Sequence, residues 1–200
     1  MELIPMSNIR LLAMPGSART ESYNRRVLQI MIRGARDAGA DVTLFEPRDH
    51  VMPLYDGDLE DNEGLPPAAA ELQQLFASHD GFLLASPEYN GFFTPLVKNT
   101  LDWLSRPLPD GSGKPGTVHV RGKPAGIASA SPGALGGIRS LQHTRLYLSN
   151  LGFIVVPEQT GVPNAAKAFD ADGELIDDKL RAAVEGVGAA VARLAKKLKA

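Results

Sequence analysis

The chain has 200 residues, no cysteine and a formal net charge of −2, which excludes disulfides, thiolate-bound zinc, iron–sulfur clusters and a thiol nucleophile. The balanced charge gives no bulk attraction for nucleic acid. Hydrophobic residues make up 44% and charged residues 22%, the composition of one folded domain spanning residues 1–200, and no run approaches the roughly 18 apolar residues of a membrane span.

Ile9 to Met14 is a short apolar run ended by Pro15-Gly16, the length of a buried strand. It is too short for a signal peptide and lacks a basic leader, so a soluble cytoplasmic protein is expected. Val27, Leu28, Met31, Ile32 and Ala35 then recur at helical spacing, and Gly39 stops the helix. Val42 to Phe45 is a second strand. Arg48 to Pro67, rich in Pro, Gly and acid, reads as a long surface connection, and Pro67 to Ser78 as a helix. Gly81 to Ala85 is a third strand. Thr94 as N-cap and Pro95 as first helical residue open a helix running to about Ser105. Pro109 to Gly116 is turn-rich. A fourth strand lies within Lys123 to Ala130, a helix spans Ile138 to Asn150, and Phe153 to Val156 is a fifth strand. The last helix spans about Glu174 to Leu198, with acids at its start and bases at its end. It is expected to pack on the sheet, since Gly186 and Gly188 weaken a coiled-coil reading.

Strands alternating with helices imply an α/β fold with a doubly wound parallel sheet. Ligands of such sheets bind beyond the carboxyl ends of the strands, which selects three loops. The first, Gly16 to Asn24, combines Ser17, Thr20 and Ser22 hydroxyls, the Arg19 charge and the Asn24 amide at a helix start. Its composition fits a phosphate site and fits equally a simple cap, with Ser22 or Thr20 bonding its own backbone. It has neither the three-glycine dinucleotide spacing nor the Gly-Lys-Ser/Thr ending of nucleotide triphosphatases. The second loop is Ser86-Pro87-Glu88-Tyr89-Asn90-Gly91, which can expose backbone amides to a flat ring or serve as a plain connection turning at Asn90-Gly91. The third, Ser129 to Gly137, is made of small residues that permit close approach of backbone to a ligand and also suit any tight turn. His50, His79, His119 and His143 lack paired spacing and are expected not to bind metal. Glu88 is expected to be a helix-proximal or solvent-facing carboxylate, Trp103 a core residue, and Asp102 a solvated or capping group.

These pieces together resemble the NADPH-dependent FMN reductase family, which includes azobenzene, quinone and chromate reductases. The matching residues are Gly16-Ser17-x-Arg19-x-x-Ser22-x-Asn24, then Ser86-Pro87-Glu88-Tyr89-Asn90 with Leu96-x-Lys98-Asn99-x-x-Asp102-Trp103-Leu104-Ser105, then Ser131-Pro132-Gly133-x-x-Gly136-Gly137-x-Arg139. The resemblance implies a flavodoxin-like, three-layer, five-stranded fold. It implies that Ser17, Arg19, Ser22 and Asn24 hold the FMN phosphate, that Pro87, Glu88, Tyr89, Asn90 and Gly91 line the isoalloxazine, and that Ser131, Gly133 and Gly136 border the ring. It further implies a homodimer or homotetramer, with Arg139 and Glu158 at positions that join subunits. The segment Pro107 to Thr117 is long for the family and reads as a lid or an exposed loop.

The activity so implied is hydride transfer from NADPH or NADH through FMN to a small-molecule acceptor: a quinone, an azo compound, chromate or flavin. The cofactor carries the chemistry and no catalytic side chain is required. Two alternatives remain: a flavodoxin-type electron carrier, whose usual strong acidity and Thr/Ser-Gly-x-Thr loop this chain lacks, and a flavin-free NAD(P)-binding protein.

Overall fold

The computed structural model describes residues 9–200. In chain order the elements are β1 (Ile9–Pro15), α1 (Tyr23–Asp37), β2 (Ala40–Leu44), α2 (Gly57–Glu63), α3 (Pro67–Ser78), β3 (Gly81–Ala85), α4 (Pro95–Leu104), a 3-10 turn (Gly116–His119), β4 (Pro124–Ala130), α5 (Ile138–Leu151), β5 (Ile154–Val162), α6 (Ala165–Ala168) and α7 (Asp178–Lys199). The five strands form one parallel sheet in the order β2-β1-β3-β4-β5. Every residue of β3 and of β4 is buried. A strand covered on both faces needs a continuous apolar run instead of alternation, and Gly-Phe-Leu-Leu-Ala is such a run.

Successive residues of a strand face opposite layers. Leu11 and Ala13 of β1 join one core with α1 and α7, whereas Leu12 and Met14 join a second core with α3, α4 and α5. The α1–α7 seam is made by glycines. A Cβ built on Gly34 would lie 2.1 Å from the Glu185 carbonyl oxygen, and one on Gly188 would lie 1.9 Å from that of Met31. Gly188 is therefore where α7 touches its neighbour, whereas Gly186 meets nothing within 4 Å.

The 3-10 turn and α6 are not marked in the sequence, and three further elements depart from their expectation. The connection after β2 contains α2, capped by Asp56, whose carboxylate accepts from Asp58 N at 2.8 Å. Leu59 is the one apolar residue of Gly57–Glu63, so no hydrophobic period marks it. Its segment is pinned to α4: Asn99 accepts from Tyr55 N and donates to the Pro53 carbonyl, which also receives the Trp103 indole N–H, each at 2.8 Å. Trp103 is itself fully buried. Next, β5 continues past Val156 to Val162 because its register slips: Ala125 faces Val155, but Ile127 faces Gln159. Pro157 sits in this bulge, where a missing N–H is tolerated, and Arg145 donates to the Val155 and Val156 carbonyls at 3.1 and 2.7 Å. Finally, α7 starts at Asp178 behind the capping carboxylate of Asp177. Glu174 lies outside it and pairs with Arg33 at 2.6 Å.

The segment Pro107 to Thr117 is closed by a Pro107–Pro115 bridge. Because α4 starts at the carboxyl-end rim of the sheet and runs away from it, this segment emerges at the opposite edge. Gln73 fixes it there, donating to the Leu104 and Arg106 carbonyls at 3.1 and 2.9 Å. It is an exposed loop and not a lid over the rim.

Candidate functional site

The strand order reverses between β1 and β3, and the loops after β1, β3 and β4 meet at their carboxyl ends, where such sheets bind ligands. The loops are interlocked. Gly16 N donates to Ala85 O at 2.7 Å, and a Cβ on Gly16 would lie 2.5 Å from Ser86 Oγ. Only glycine allows that approach. Thr94 donates to Gly16 O at 2.7 Å while its hydroxyl accepts from Val97 N at 3.2 Å, the N-cap expected at this position.

Three residues expected as ligand contacts also make contacts between the loops. The Asn24 amide donates to Ala130 O at 2.9 Å and accepts from Ala130 N at 2.8 Å, joining the start of α1 to the end of β4. The Glu88 carboxylate accepts from Arg139 Nε at 2.8 Å, from Arg139 Nη2, and from Ser140 N at 3.2 Å. Its side chain is 7% exposed. Burial pushes this carboxyl up, but the Arg139 and Ser140 hydrogen bonds and the Arg139 charge outweigh it and hold it below its ordinary range. Gly136 is buried at φ +61°, and a Cβ there would lie 2.9 Å from Pro163 N. Arg139, expected at a position that joins subunits, pairs with Glu88 of its own chain. Glu158 is exposed on the β5 bulge. Asp102 is neither simply solvated nor a cap: it pairs with Lys98 at 2.7 Å and accepts from Tyr147 OH at 3.0 Å.

The helices that follow these three loops, α1, α4 and α5, have their first turns satisfied differently. Thr94 caps α4. The Glu88 carboxylate occupies the start of α5. The N-cap of α1, Ser22, makes no side-chain cap bond, and the first turn of α1 carries no acid. Its start thus carries a partial positive charge with no side-chain cap or acid to balance it. Ser17 and Ser22 are buried beside it. Ser17 Oγ accepts from Arg19 N at 3.3 Å, while the Arg19 side chain is exposed and has no partner among the described residues. The self-capping alternative does not hold at either hydroxyl, since Thr20 receives Arg48 Nη1 at 3.2 Å.

On the second loop Tyr89 and Phe92 exchange backbone hydrogen bonds of 2.8 and 3.0 Å around Asn90 (φ +53°) and Gly91 (φ +88°). Asn-Gly is the pair that adopts such a turn most readily. The turn presents Tyr89 and Phe92, each about half exposed, beside Pro87. His143 of α5 stacks on Phe92 with ring centres 4.0 Å apart. Sequence reasoning missed both. Phe92 lies one residue past the second-loop segment, and His143 comes from an element 51 residues away. On the third loop Ser131 Oγ accepts from Gly133 N at 3.2 Å, and Gly133 is exposed. Among the described residues no group of His, Asp or Glu is arranged to hold a metal ion, and no helix is long and apolar enough to cross a membrane.

A parallel sheet in this order, with an open helix start at its switch point, defines a flavodoxin-like α/β protein. Residues 9–167 match the model of the NADPH-dependent FMN reductase family, and the chain belongs to that family. It is 34% identical to an NAD(P)H-dependent FMN reductase of Pseudomonas aeruginosa over 89% of this chain and 90% of that one. It is 33% identical to a quinone reductase of Escherichia coli over 84% and 86%. Its fold is similar to that of FerB, a flavoenzyme NAD(P)H:(acceptor) oxidoreductase from Paracoccus denitrificans, with a TM-score of 0.77, 24% identity, and coverage of 94% of this chain and 98% of that one.

Proposed function

We propose that this chain is an NAD(P)H-dependent FMN oxidoreductase that reduces small-molecule acceptors. One observation carries the reading: of the three helices that follow the converging loops, α1 alone starts without a side-chain cap or an acid, beside an unpaired Arg19, in a chain of this family. When bound there, FMN supplies the two-electron chemistry that connects NAD(P)H to the acceptor.

The residues present fit that cofactor. Ser17, Ser22, Arg19 and the first N–H groups of α1 hold the phosphate. The Pro87–Gly91 backbone lines the ring, and Ser131 and Gly133 border it. Asn24 and Glu88 set the spacing between the loops that receive it. The exposed Tyr89 and Phe92 faces offer a flat apolar surface to a nicotinamide or to a planar acceptor. Quinones are the acceptor class favoured here, because a relative of this length and coverage is a quinone reductase. Azo compounds, chromate and free flavin are acceptors for the same assay to rank. A homodimer or homotetramer is the assembly this reading favours, with Leu135, Ile138 and Leu146, each at least half exposed, as the apolar face to be covered. The cytoplasm, which supplies NAD(P)H, is its expected setting.

The test is NADPH oxidation by the purified, FMN-supplied protein with a benzoquinone and no other protein. Continuous oxidation that requires both FMN and quinone is expected. Protein that binds FMN but oxidises no NADPH is a flavodoxin-type carrier, and that result overturns the proposal.

A further inference from the structure

Four arginines surround the start of α1. Arg25 pairs through Nη1 with Glu46, which balances its charge, while its Nε and Nη2 are buried without a hydrogen-bond partner. Arg26 faces Glu21 at 3.5 Å and lies over the Phe169 ring at 5.7 Å. Arg19 and Arg48 have no carboxylate partner among the described residues. Arg48 is not loose, however: its Nη1 donates to the Thr20 hydroxyl at 3.2 Å, and Thr20 stands in the first loop between Arg19 and Ser22.

Arg48 is carried on a rigid support. Phe45 N donates to Ala13 O at 2.8 Å, which ties the chain leaving β2 to β1. Asp49 N donates to Glu46 O at 3.0 Å and closes a turn with Arg48 inside it. Arg25 holds the Glu46 side chain. His50 Nδ1 also lies 2.9 Å from Glu46 O, and its ring packs on Phe45 with centres 4.5 Å apart. A guanidinium fixed on such a turn, exposed, and aimed at the loop by a neutral hydroxyl carries a charge that the protein itself leaves unbalanced.

We propose that Arg48 is a second guanidinium of the FMN phosphate site, delivered to the first loop from the turn after β2. This rests on the flavin reading above and adds a residue to it. The charge balance supports it. A phosphate monoester carries about −1.5 to −2 at neutral pH. Arg19 supplies one positive charge and the α1 start about half of another, which falls short of the dianion, and a second guanidinium supplies the remainder. Guanidinium groups also meet phosphate oxygens through paired N–H donors, the strongest hydrogen bonds available to the site. The residue was hidden in the sequence because it lies 24 positions beyond the last residue of the first loop, in a stretch that reads as surface connection.

The experiment compares FMN with riboflavin, which lacks the phosphate, by fluorescence titration of the wild-type protein, R48A and R48K. R48A is expected to bind FMN roughly tenfold more weakly, the size of one lost charge-assisted hydrogen bond. Its riboflavin affinity stays unchanged, R48K recovers part of the loss, and FMN binding by R48A is less sensitive to salt than that of the wild type. Wild-type FMN affinity in R48A overturns the inference while leaving the flavin reading intact. An equal loss for riboflavin also overturns it, since Arg48 would then act only by packing the loop. A wild-type protein that binds neither flavin overturns the flavin reading itself.

Discussion

Replacing Arg19 and Ser22 together by alanine is expected to weaken FMN binding by about 100-fold or more while leaving the fold intact. Hydrogen bonds to a charged group such as a phosphate are worth about 1.5–3 kcal/mol each, and every 1.4 kcal/mol is a factor of ten in affinity. The double variant removes two such bonds from the phosphate. Its folding cost is small for reasons visible in the structure: Arg19 is exposed and unpaired, and the Ser22 hydroxyl caps nothing. Thr94 is the instructive contrast. It caps α4 and holds Gly16 O, so T94A is expected to lose about 1 kcal/mol or more of stability as well as flavin affinity. Equilibrium dialysis and a thermal melt of the same samples separate the two effects. Full flavin occupancy in the double variant after dialysis would place the phosphate elsewhere.

The largest expected effect on stability is at Gly188. A Cβ there would lie 1.9 Å from the Met31 carbonyl oxygen, on backbone that no rotamer change can move. Gly188→Val therefore forces α7 away from α1, opening the layer formed by Met31, Ala35, Val184 and Val191. Overpacking of this kind costs about 3 kcal/mol or more, which lowers Tm by roughly 6–12 °C in a chain of this size. Gly186 lies two residues earlier on the same helix with nothing within 4 Å of its Cβ position. Gly186→Ala is expected to raise stability by about 0.5–1 kcal/mol through helix propensity alone. Melting curves of the two variants should move in opposite directions, and a Gly188→Val protein as stable as the wild type would show that the helices do not meet at this glycine.

The parts of this molecule that repeat locally were legible in the sequence. The buried strand Gly81–Ala85 reads as an unbroken apolar run, and Thr94-Pro95 marks a helix start by its own chemistry. The strand–helix alternation by itself places the three rim loops. What stayed hidden depends on partners distant in the chain. Asn24 reads as an amide for a ligand, and nothing in its spacing announces its two bonds to Ala130, 106 residues away. Glu88 meets Arg139 across 51 residues, and nothing in the spacing of either announces the pair. The helix Gly57–Glu63 has too few apolar residues to show a period, and the bulge in β5 is a matter of register that composition does not encode.

The most direct test of the account is anaerobic mixing of the FMN-loaded protein with one equivalent of NADPH, followed by a quinone. The account predicts that the visible flavin absorption bleaches on the first addition and returns on the second, with the quinone reduced in equal amount. A protein that holds FMN yet keeps its colour in the presence of NADPH would contradict it.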